Sequence, residues 1–364
     1  MPMFTDFNKD LCVRGDGKQL RVPGRLEFTI TGQDVSLVSG LRRSIMCDVQ
    51  TIAFRFDAID PSKQDVRFAI NTGSLHNEFV GERIGLIPMH FTKNDLLGAK
   101  PESWRFELDE ENTGSRPKDV TTAAFKILPV SSESAATPNP SNVFKPDPLT
   151  GDHPVITTLM PGQRIALEAA ASFGSGVEHA RFTPVAACSC FPMRDEAAVK
   201  KERLKKEDKL AFDALDAHRM LDLDEHGNPR AHRFCLETQC GIDPADIVES
   251  GYESLASRLR NLADSSEGTE KVVDSPAQTG SPPDIASLKI VGEDHTCGAL
   301  IQAKLMQETD FAGFYIPHQL ERSIVVRMRV PPGGASARGM LRAACESAAV
   351  DCENALSAWR SRLV

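Results

Sequence analysis

Three groups of residues in this 364-residue sequence have side chains and spacings that could do chemistry. Glu78, Glu82 and Arg83 fall within NEFVGERIGLIPM, Asn77 to Met89, and a short helix would bring them together. Those three could be called an acid–base cluster, and His179 beside Glu178 of GSGVEHARFTPVA could act as a general base. The spacing also suits a solvated i, i+4 face and a structural or interface histidine, and no nucleophile or metal ligand accompanies the set. The second group is the nine cysteines, none in the C-x-x-C pairing of structural zinc sites. Cys188 and Cys190 would share one face of a strand, as small buried hydrophobes by default, with a metal or disulfide role as the alternative. The third is the adjacent pair Arg42 and Arg43 in GLRRSIMCDVQTIAF, set inside an apolar run. Such a pair could hold a phosphate, assist catalysis or position another protein.

An internal echo supplies the frame around those arginines. LEFTITGQDVSLVSGLRRSI, from Leu26, and LKIVGEDHTCGALIQAKL, from Leu288, align with Gly32–Asp34 on Gly292–Asp294. Phe28 and Ile30 then fall on Leu288 and Ile290, Leu41 on Ile301, and Ile45 on Leu305. Each copy reads as a strand of alternating apolar residues, a glycine turn, a capping acid and an amphipathic helix. Leu37, Val38, Leu41, Ile45 and Val49 share one face of the first helix; Cys297, Leu300, Ile301 and Leu305 share one face of the second.

Each copy also has a matching second part. RFCLETQCGIDPADIV gives a strand and then a helix, with Asp243 as N-cap and Pro244 at the first helical position. Val248, Tyr252, Leu255, Leu259 and Leu262 step by four and three along it, a coiled-coil-like seam. Downstream, SIVVRMRV gives a strand and MLRAACESAAVDCENALSAWRSRL a long helix. Its seam runs through Leu341, Cys345, Ala348, Cys352, Leu356, Trp359 and Leu363. Two matched sets with long seams predict two related domains packed as a pseudo-twofold pair.

Between the sets, Asp264 to Asp284 is polar and rich in Ser, Pro and Gly, and reads as a flexible linker. Its root-mean-square span would be roughly 25 Å, which keeps the flanking parts at a local concentration near the millimolar range. Residues 51–182 interrupt the first set and read as an inserted β-rich domain, with alternating strands in TIAFRFDAI, VTTAAFKI and QRIALEAAASF. Residues 194–226 read as a charged helical insertion whose acids nearly balance its bases, which suits a solvated or partner-facing helix better than a nucleic-acid arm.

The whole chain bounds the function. With 41% hydrophobic and 26% charged residues the composition is that of a soluble protein of two or three domains. A formal charge of −9 argues against a protein whose main task is gripping nucleic acid, although a local basic patch stays open. No apolar run approaches the ~20 residues needed to span a bilayer, and MPMFTDFNKD lacks the apolar region of a signal peptide. The expectation is an intracellular protein with no membrane partner.

The motifs together resemble a known family. GLRRSIMCDVQTIAF followed by LHNEFVGERIGLIPM resembles the larger alpha-like subunit of archaeal and eukaryotic RNA polymerases and the bacterial alpha N-terminal domain. GSGVEHARFTPVAA and RFCLETQCGIDPADIVESGYESL are similar to later segments of that subunit. LKIVGEDHTCGALIQAKL, through to the C-terminal helix, is similar to the smaller alpha-like subunit. The first resemblance covers residues 20–262 with gaps and the second 285–364. It implies an α+β fold of two alpha-like dimerisation domains forming an intramolecular pseudo-heterodimer, plus the inserted β-rich domain. The larger domain would comprise residues 1–50 and 183–263, the insertion 51–182, the linker 264–284 and the smaller domain 285–364.

The resemblance also implies a function: a non-catalytic platform on which the second-largest and largest polymerase subunits assemble, with a small subunit beside the smaller alpha-like domain. DNA and RNA would be met only through the complex. Leu41, Arg42, Arg43, Ile45, Val248, Tyr252, Leu255 and Leu259 would face Asp294, His295, Thr296, Ile301, Leu305, Ala348, Cys352 and Trp359 across the intramolecular interface. Glu78, Phe79, Arg83, Gly85, Leu86, Ile87, Pro88, Glu178, His179 and Ala180 would support the large-subunit contact. Many family members carry a cysteine-rich metal module after the GLIP segment. The equivalent stretch here, HFTKNDLLGAKPESWRFELDEEN, has no cysteine, so no metal and no cofactor are expected. Fusion of the two subunits in one chain implies a nucleocytoplasmic large DNA virus as source, with the protein packaged in the virion and active in the host cytoplasm or nucleus.

Overall fold

The computed structural model describes residues 3–13, 19–57, 59–60, 63–98, 100–130, 138–147, 150–266, 270–275, 282 and 284–363. In chain order the first elements are β1 (Met3–Val13), β2 (Gln19–Thr31), α1 (Val35–Cys47), β3 (Gln50–Ala53), β4 (Val66–Asn71), α2 (Asn77–Gly85) and α3 (Lys93–Gly98). Then come β5 (Trp104–Glu111), β6 (Lys118–Thr121), β7 (Lys126–Pro129), α4 (Pro140–Val143), β8 (Val155–Leu159), β9 (Arg164–Ala169), β10 (Ser172–Ser175) and β11 (Val185–Pro192). The chain continues through α5 (Glu196–Arg203), α6 (Lys209–Ala211), β12 (Ala231–Thr238) and α7 (Pro244–Asp264). It closes with β13 (Val272–Asp274), β14 (Ile285–Val291), α8 (His295–Glu308), β15 (Ala312–Tyr315), β16 (Ser323–Arg329) and α9 (Ala337–Leu363). The fold is thus mixed α/β, with several sheets.

Two compact units result. One comprises Met1–Ile45, Ala187–Leu236 and Val248–Val364; the other comprises Met46–Ala186 and Glu237–Ile247. The first unit holds two four-stranded sheets with orders β1-β2-β12-β11 and β13-β14-β16-β15. In both, the second strand leads through a glycine turn into a helix, and the third leads into a long helix. Gly32 and Gly292 sit at φ 69° and 82°, a left-handed backbone that only glycine adopts without strain. The acid two residues on then caps the helix: Asp34 accepts from Ser36 N at 2.8 Å and Asp294 from Thr296 N at 2.9 Å.

The correspondence extends to a strand the sequence hid. β1 pairs antiparallel with β2, Phe4 opposite Ile30 and Met3 opposite Thr31. β13 pairs antiparallel with β14, Val272 opposite Ile290. Since Ile30 aligns with Ile290, β13 holds the place of β1, and Phe4 and Val272 are equally buried. β13 lies inside the stretch read as a flexible linker. Arg338, in the first turn of α9, holds it by donating to Ser266 O and Val272 O at 3.1 and 3.0 Å. Three residues in polar surroundings are too short a run to announce a strand, even with two valines among them; the pairing is what makes them one. Residues 267–269, 276–281 and 283 of that stretch lie outside the described residues.

The charged insertion also differs from its reading as a helix. α5 ends at Arg203, and after it come only the three-residue α6, a π-helical turn at Phe212–Asp216 and a 3₁₀ turn at Ala217–Arg219. Asp195 and Asp208 each cap a fresh start, accepting from Ala198 N and Ala211 N, so local side-chain bonding breaks what composition alone would run together. Val199, Phe212 and Ala217 close a small core of their own.

The second unit is β-rich: a sheet of order β4-β9-β5-β7 with the pairs β6-β8 and β10-β3. Its core is aromatic. Phe54 meets Phe106 edge-on at 4.9 Å, Phe125 stacks on Phe144 at 5.1 Å, and Phe91 stacks on Trp104 at 5.5 Å. Glu237–Ile247, read from sequence as part of the first dimerisation domain, groups with this unit instead. Gln239 Nε2 donates to Thr183 O at 2.6 Å and Cys240 N to Thr238 Oγ1 at 3.3 Å, a side chain and a loop satisfied locally.

Candidate subunit interface

Within the first unit α1, α7, α8 and α9 converge. α1 and α7 approach so closely that a Cβ on Gly251 would lie 2.7 Å from Ile45 Cγ1, so only glycine fits. Ser44 Oγ uses that proximity to donate to Gly251 O at 3.0 Å. At Gly40 three helices meet: a Cβ there would find Leu255 of α7 at 3.3 Å, with Leu300 and Thr296 of α8 at 3.5 and 3.7 Å. Leu41, Ile45, Val248, Tyr252, Leu255, Leu259, Ile301, Leu305, Ala348, Cys352 and Trp359 are all buried. The last seam position, Leu363, lies outside the described side chains.

Trp359 of α9 reaches furthest. Its ring lies 5.1 Å from Phe4, 4.8 Å from Phe28 and 5.6 Å from Phe7, three aromatics on β1 and β2. Phe4 and Phe28 are buried with it, so a large apolar area is withdrawn from water at one point.

Charge fastens the opposite side. Arg258 of α7 donates through Nε to Glu293 Oε2 at 2.9 Å, and its Nη2 lies 3.0 Å from Asp294 Oδ1. Lys271 Nζ reaches Glu293 Oε1 at 3.1 Å. Glu293 is 3% exposed, so these cations are what makes its burial tolerable. Burial pushes the Asp294 carboxyl up, but Arg258 and the helix-capping bond to Thr296 outweigh it and hold it below the usual carboxylate range. Arg260 grips Glu353 at 2.9 Å, and Arg360 bonds Glu253 at 2.6 Å. These exposed pairs contribute little each.

The two adjacent arginines divide. Arg43 Nη2 stands 3.9 Å from Asp294 Oδ2, at the rim of the fastened side. Arg42 lies beside the cysteine pair: its carbonyl is 4.0 Å from Cys188 Sγ, and burial pushes that thiol up to about 12 against the arginine's charge. Burial raises Cys190 also, so both are protonated thiols at neutral pH rather than nucleophiles. His295 departs from its expected place: it is exposed and meets Phe314 of β15 edge-on at 5.6 Å.

The second unit presents the other predicted surface. α2 buries Val80, Gly81 and Ile84, and its exposed side offers Phe79 and Leu86, at 62% and 55% exposure. Glu78 and Ala180 are exposed as well, and Ile87 and Pro88 half-buried. Arg83 is occupied internally, donating to Ile156 O and Val155 O at 3.0 Å each and so tying α2 to β8. Glu178 accepts two bonds from Arg55, at 2.5 and 2.8 Å, which hold its carboxyl below the ordinary range.

The residue that organises this surface is one the sequence reading passed over. Arg181 is buried, donating to Phe54 O at 2.9 Å, to Phe56 O at 3.1 Å and to Glu82 Oε2 at 3.0 Å. His179 Nδ1 accepts from Arg181 N and Nε, at 3.2 and 3.1 Å. Gly85 has no room for a side chain, since a Cβ would sit 2.4 Å from Arg181 Nη1. Glu82 and His179 do come together, each through one atom bonded to the Arg181 guanidinium, Glu82 through Oε2 and His179 through Nδ1. Beside Arg181 a groove of about 400 Å³ runs past Leu86, Pro88, Ala180 and Thr183. Among the described residues no three His, Cys, Asp or Glu side chains could hold a metal ion, and no helix is long and apolar enough to cross a membrane.

Comparison with known proteins gives the arrangement a context. Residues 286–358 match the RNA polymerase Rpb3/Rpb11 dimerisation domain. The chain is 29% identical over 172 residues to DNA-directed RNA polymerase II subunit rpb3 of Dictyostelium discoideum, covering 43% of this chain and 50% of that protein. It is 26% identical over 186 residues to the RPAC1 subunit of human DNA-directed RNA polymerases I and III, covering 45% and 50%. With DNA-directed RNA polymerase subunit Rpo3 of Pyrococcus horikoshii the identity is 27% over 159 residues, covering 44% and 52%. The chain thus spans about half the length of the curated relatives it matches.

Proposed function

We propose, from the homology of this chain to RNA polymerase alpha-like subunits of the Rpb3/Rpb11 type, that it is a non-catalytic assembly platform of a multisubunit DNA-directed RNA polymerase. In this reading the chain carries a larger and a smaller alpha-like part that pair within one polypeptide. The observation that carries it is the repeated topology of the first unit. Two sheets of matching order each send a capped helix and a long seam helix into one four-helix junction, and the dimerisation-domain match falls wholly on the second copy.

The exposed side of α2, with Phe79, Leu86 and the neighbouring groove, is the face proposed to meet the second-largest subunit, and the largest subunit would join the complex thereafter. A small subunit would sit beside the smaller part. Isolated exposed apolar residues are ordinary, but a paired Phe and Leu next to a groove suit a desolvated contact. Arg83, Glu82 and His179 act behind that face, by fixing its shape.

Co-expression with the two largest subunits of the same polymerase, followed by size-exclusion chromatography, tests this. The chain should co-elute with them, and Phe79→Asp with Leu86→Asp should weaken the complex at least ~tenfold while leaving the isolated chain's melting temperature unchanged. An undiminished complex in that double variant would remove α2 as the contact surface. Failure of the unaltered chain to co-elute would remove the platform reading itself.

A further inference from the structure

We infer that the two copies in the first unit carry unlike keys, so that the first copy accepts the second in preference to either accepting its own kind. This rests on the reading of the chain as an internal pair of alpha-like parts.

One key runs from the first copy to the second. Arg258 of α7 enters the start of α8 and neutralises Glu293, 2.9 Å away and 3% exposed. If two second copies paired, α9 would stand where α7 stands. What α9 brings to such a place is visible in the same molecule, because α9 lies against the start of α1. A groove of about 630 Å³ runs there, lined from α9 by Asp351, Asn354, Ser357 and Ala358. Its single basic residue, the exposed Arg362, makes no ion pair with Asp34. A Glu293 set against this surface would lose the Arg258 guanidinium and meet Asp351, an acid already paired with Lys304 of α8, with Lys271 of its own copy and the exposed Arg362 as the cations left beside it. The first copy tolerates the groove because it has Gln33 in the position of Glu293, and Gln33 Oε1 is satisfied by Tyr252 Oη at 3.0 Å.

The other key runs back. Trp359 of α9 fills the socket of Phe4, Phe7 and Phe28. Two first copies together would offer α7 to that socket, and α7 contains no tryptophan. Each wrong pairing therefore leaves a specific defect, a buried acid without its arginine or a socket without its ring. Partner choice achieved by penalising the wrong pair is how specificity is commonly secured.

The test uses the full chain with a protease site inserted within 276–281 and cut after folding. Samples of two isotopic masses are mixed, and native mass spectrometry records which fragments pair. Unaltered fragments should form only first-with-second pairs. Glu293→Gln with Asp351→Asn should raise second-with-second pairs at least ~tenfold; their absence at every concentration overturns the inference. A charge exchange guards against simple misfolding. Fragments carrying Arg258→Glu and Glu293→Arg should pair with each other at least ~tenfold better than with unaltered fragments, and indifferent pairing overturns it. If unaltered cut fragments fall apart without pairing at all, the internal-pair reading fails with it, an outcome distinct from indifferent pairing.

Discussion

The starts of α1 and α8 are built on one plan and finished differently. Both have a left-handed glycine, a buried polar residue and a capping aspartate. At α8 the buried residue is Glu293, held by Arg258 and Lys271. At α1 it is Gln33, held by the hydroxyl of Tyr252, and Met3 stands in the register position that Lys271 occupies. A charged triad in one copy thus corresponds to a neutral pair in the other. Repetition of a fold constrains backbone and caps, whereas the side chains that meet where the helices converge are free to diverge.

The largest expected effect lies where the copies interlock through rings. Trp359→Ala should cost about 3–5 kcal/mol in denaturant unfolding, because a fully buried ring leaves a hole that three phenylalanines cannot close. A loss under ~1 kcal/mol would mean the socket collapses freely and is no lock. Next comes Arg258→Met, which strands Glu293 with Lys271 alone. About 2–3 kcal/mol is expected, at or just below the range for breaking a buried pair because Arg258 keeps some contact with water. Adding Glu293→Gln should recover much of that, since the uncompensated charge and not the lost attraction is the main cost.

The neutral copy offers the reciprocal experiment. Gln33→Glu should destabilise by roughly 1–3 kcal/mol through an uncompensated buried carboxylate, and Met3→Lys added to it should restore part of the loss. Absence of any rescue would show that the two starts are not equivalent. The smallest effect is a pH effect. Asp294 has a folded pKa below its ordinary value, so the unfolded chain binds its proton first and stability falls as pH drops through the carboxylate range. Asp294→Asn keeps a capping side chain but should flatten that acid limb, with well under ~1 kcal/mol lost at pH 7. Thermal melts between pH 3 and 7 would show it.

How far the sequence could be read depended on whether a feature was periodic or singular. The strand–glycine–acid–helix echo and the two seams were visible because burial repeats at fixed spacing, and Leu41, Ile45, Tyr252, Leu255 and Ile301 lie in the core as that spacing required. Arg181 was invisible for the opposite reason. A lone arginine reads as surface, and nothing in its neighbours announces that Phe54 and Phe56 will turn their carbonyls toward it. Glu293 stood in plain view within the aligned GED, yet the burial of its side chain and the arginine that meets it come from a helix 35 residues away. β13 was hidden by brevity, and the broken helix after Arg203 by a charge-rich composition that favours helix without specifying where caps interrupt it.

The clasp of Arg338 on β13 has an effect beyond joining two parts of a chain. β14 would otherwise present a bare row of amide and carbonyl groups, the kind of template on which a stray strand can dock. A connecting segment that lays three residues along that border guards it, and a strand so short is itself a poor mould for further growth. Shortening the tether through Val272–Asp274 would therefore be expected to show first as self-association, well before any loss of reach between the parts it joins.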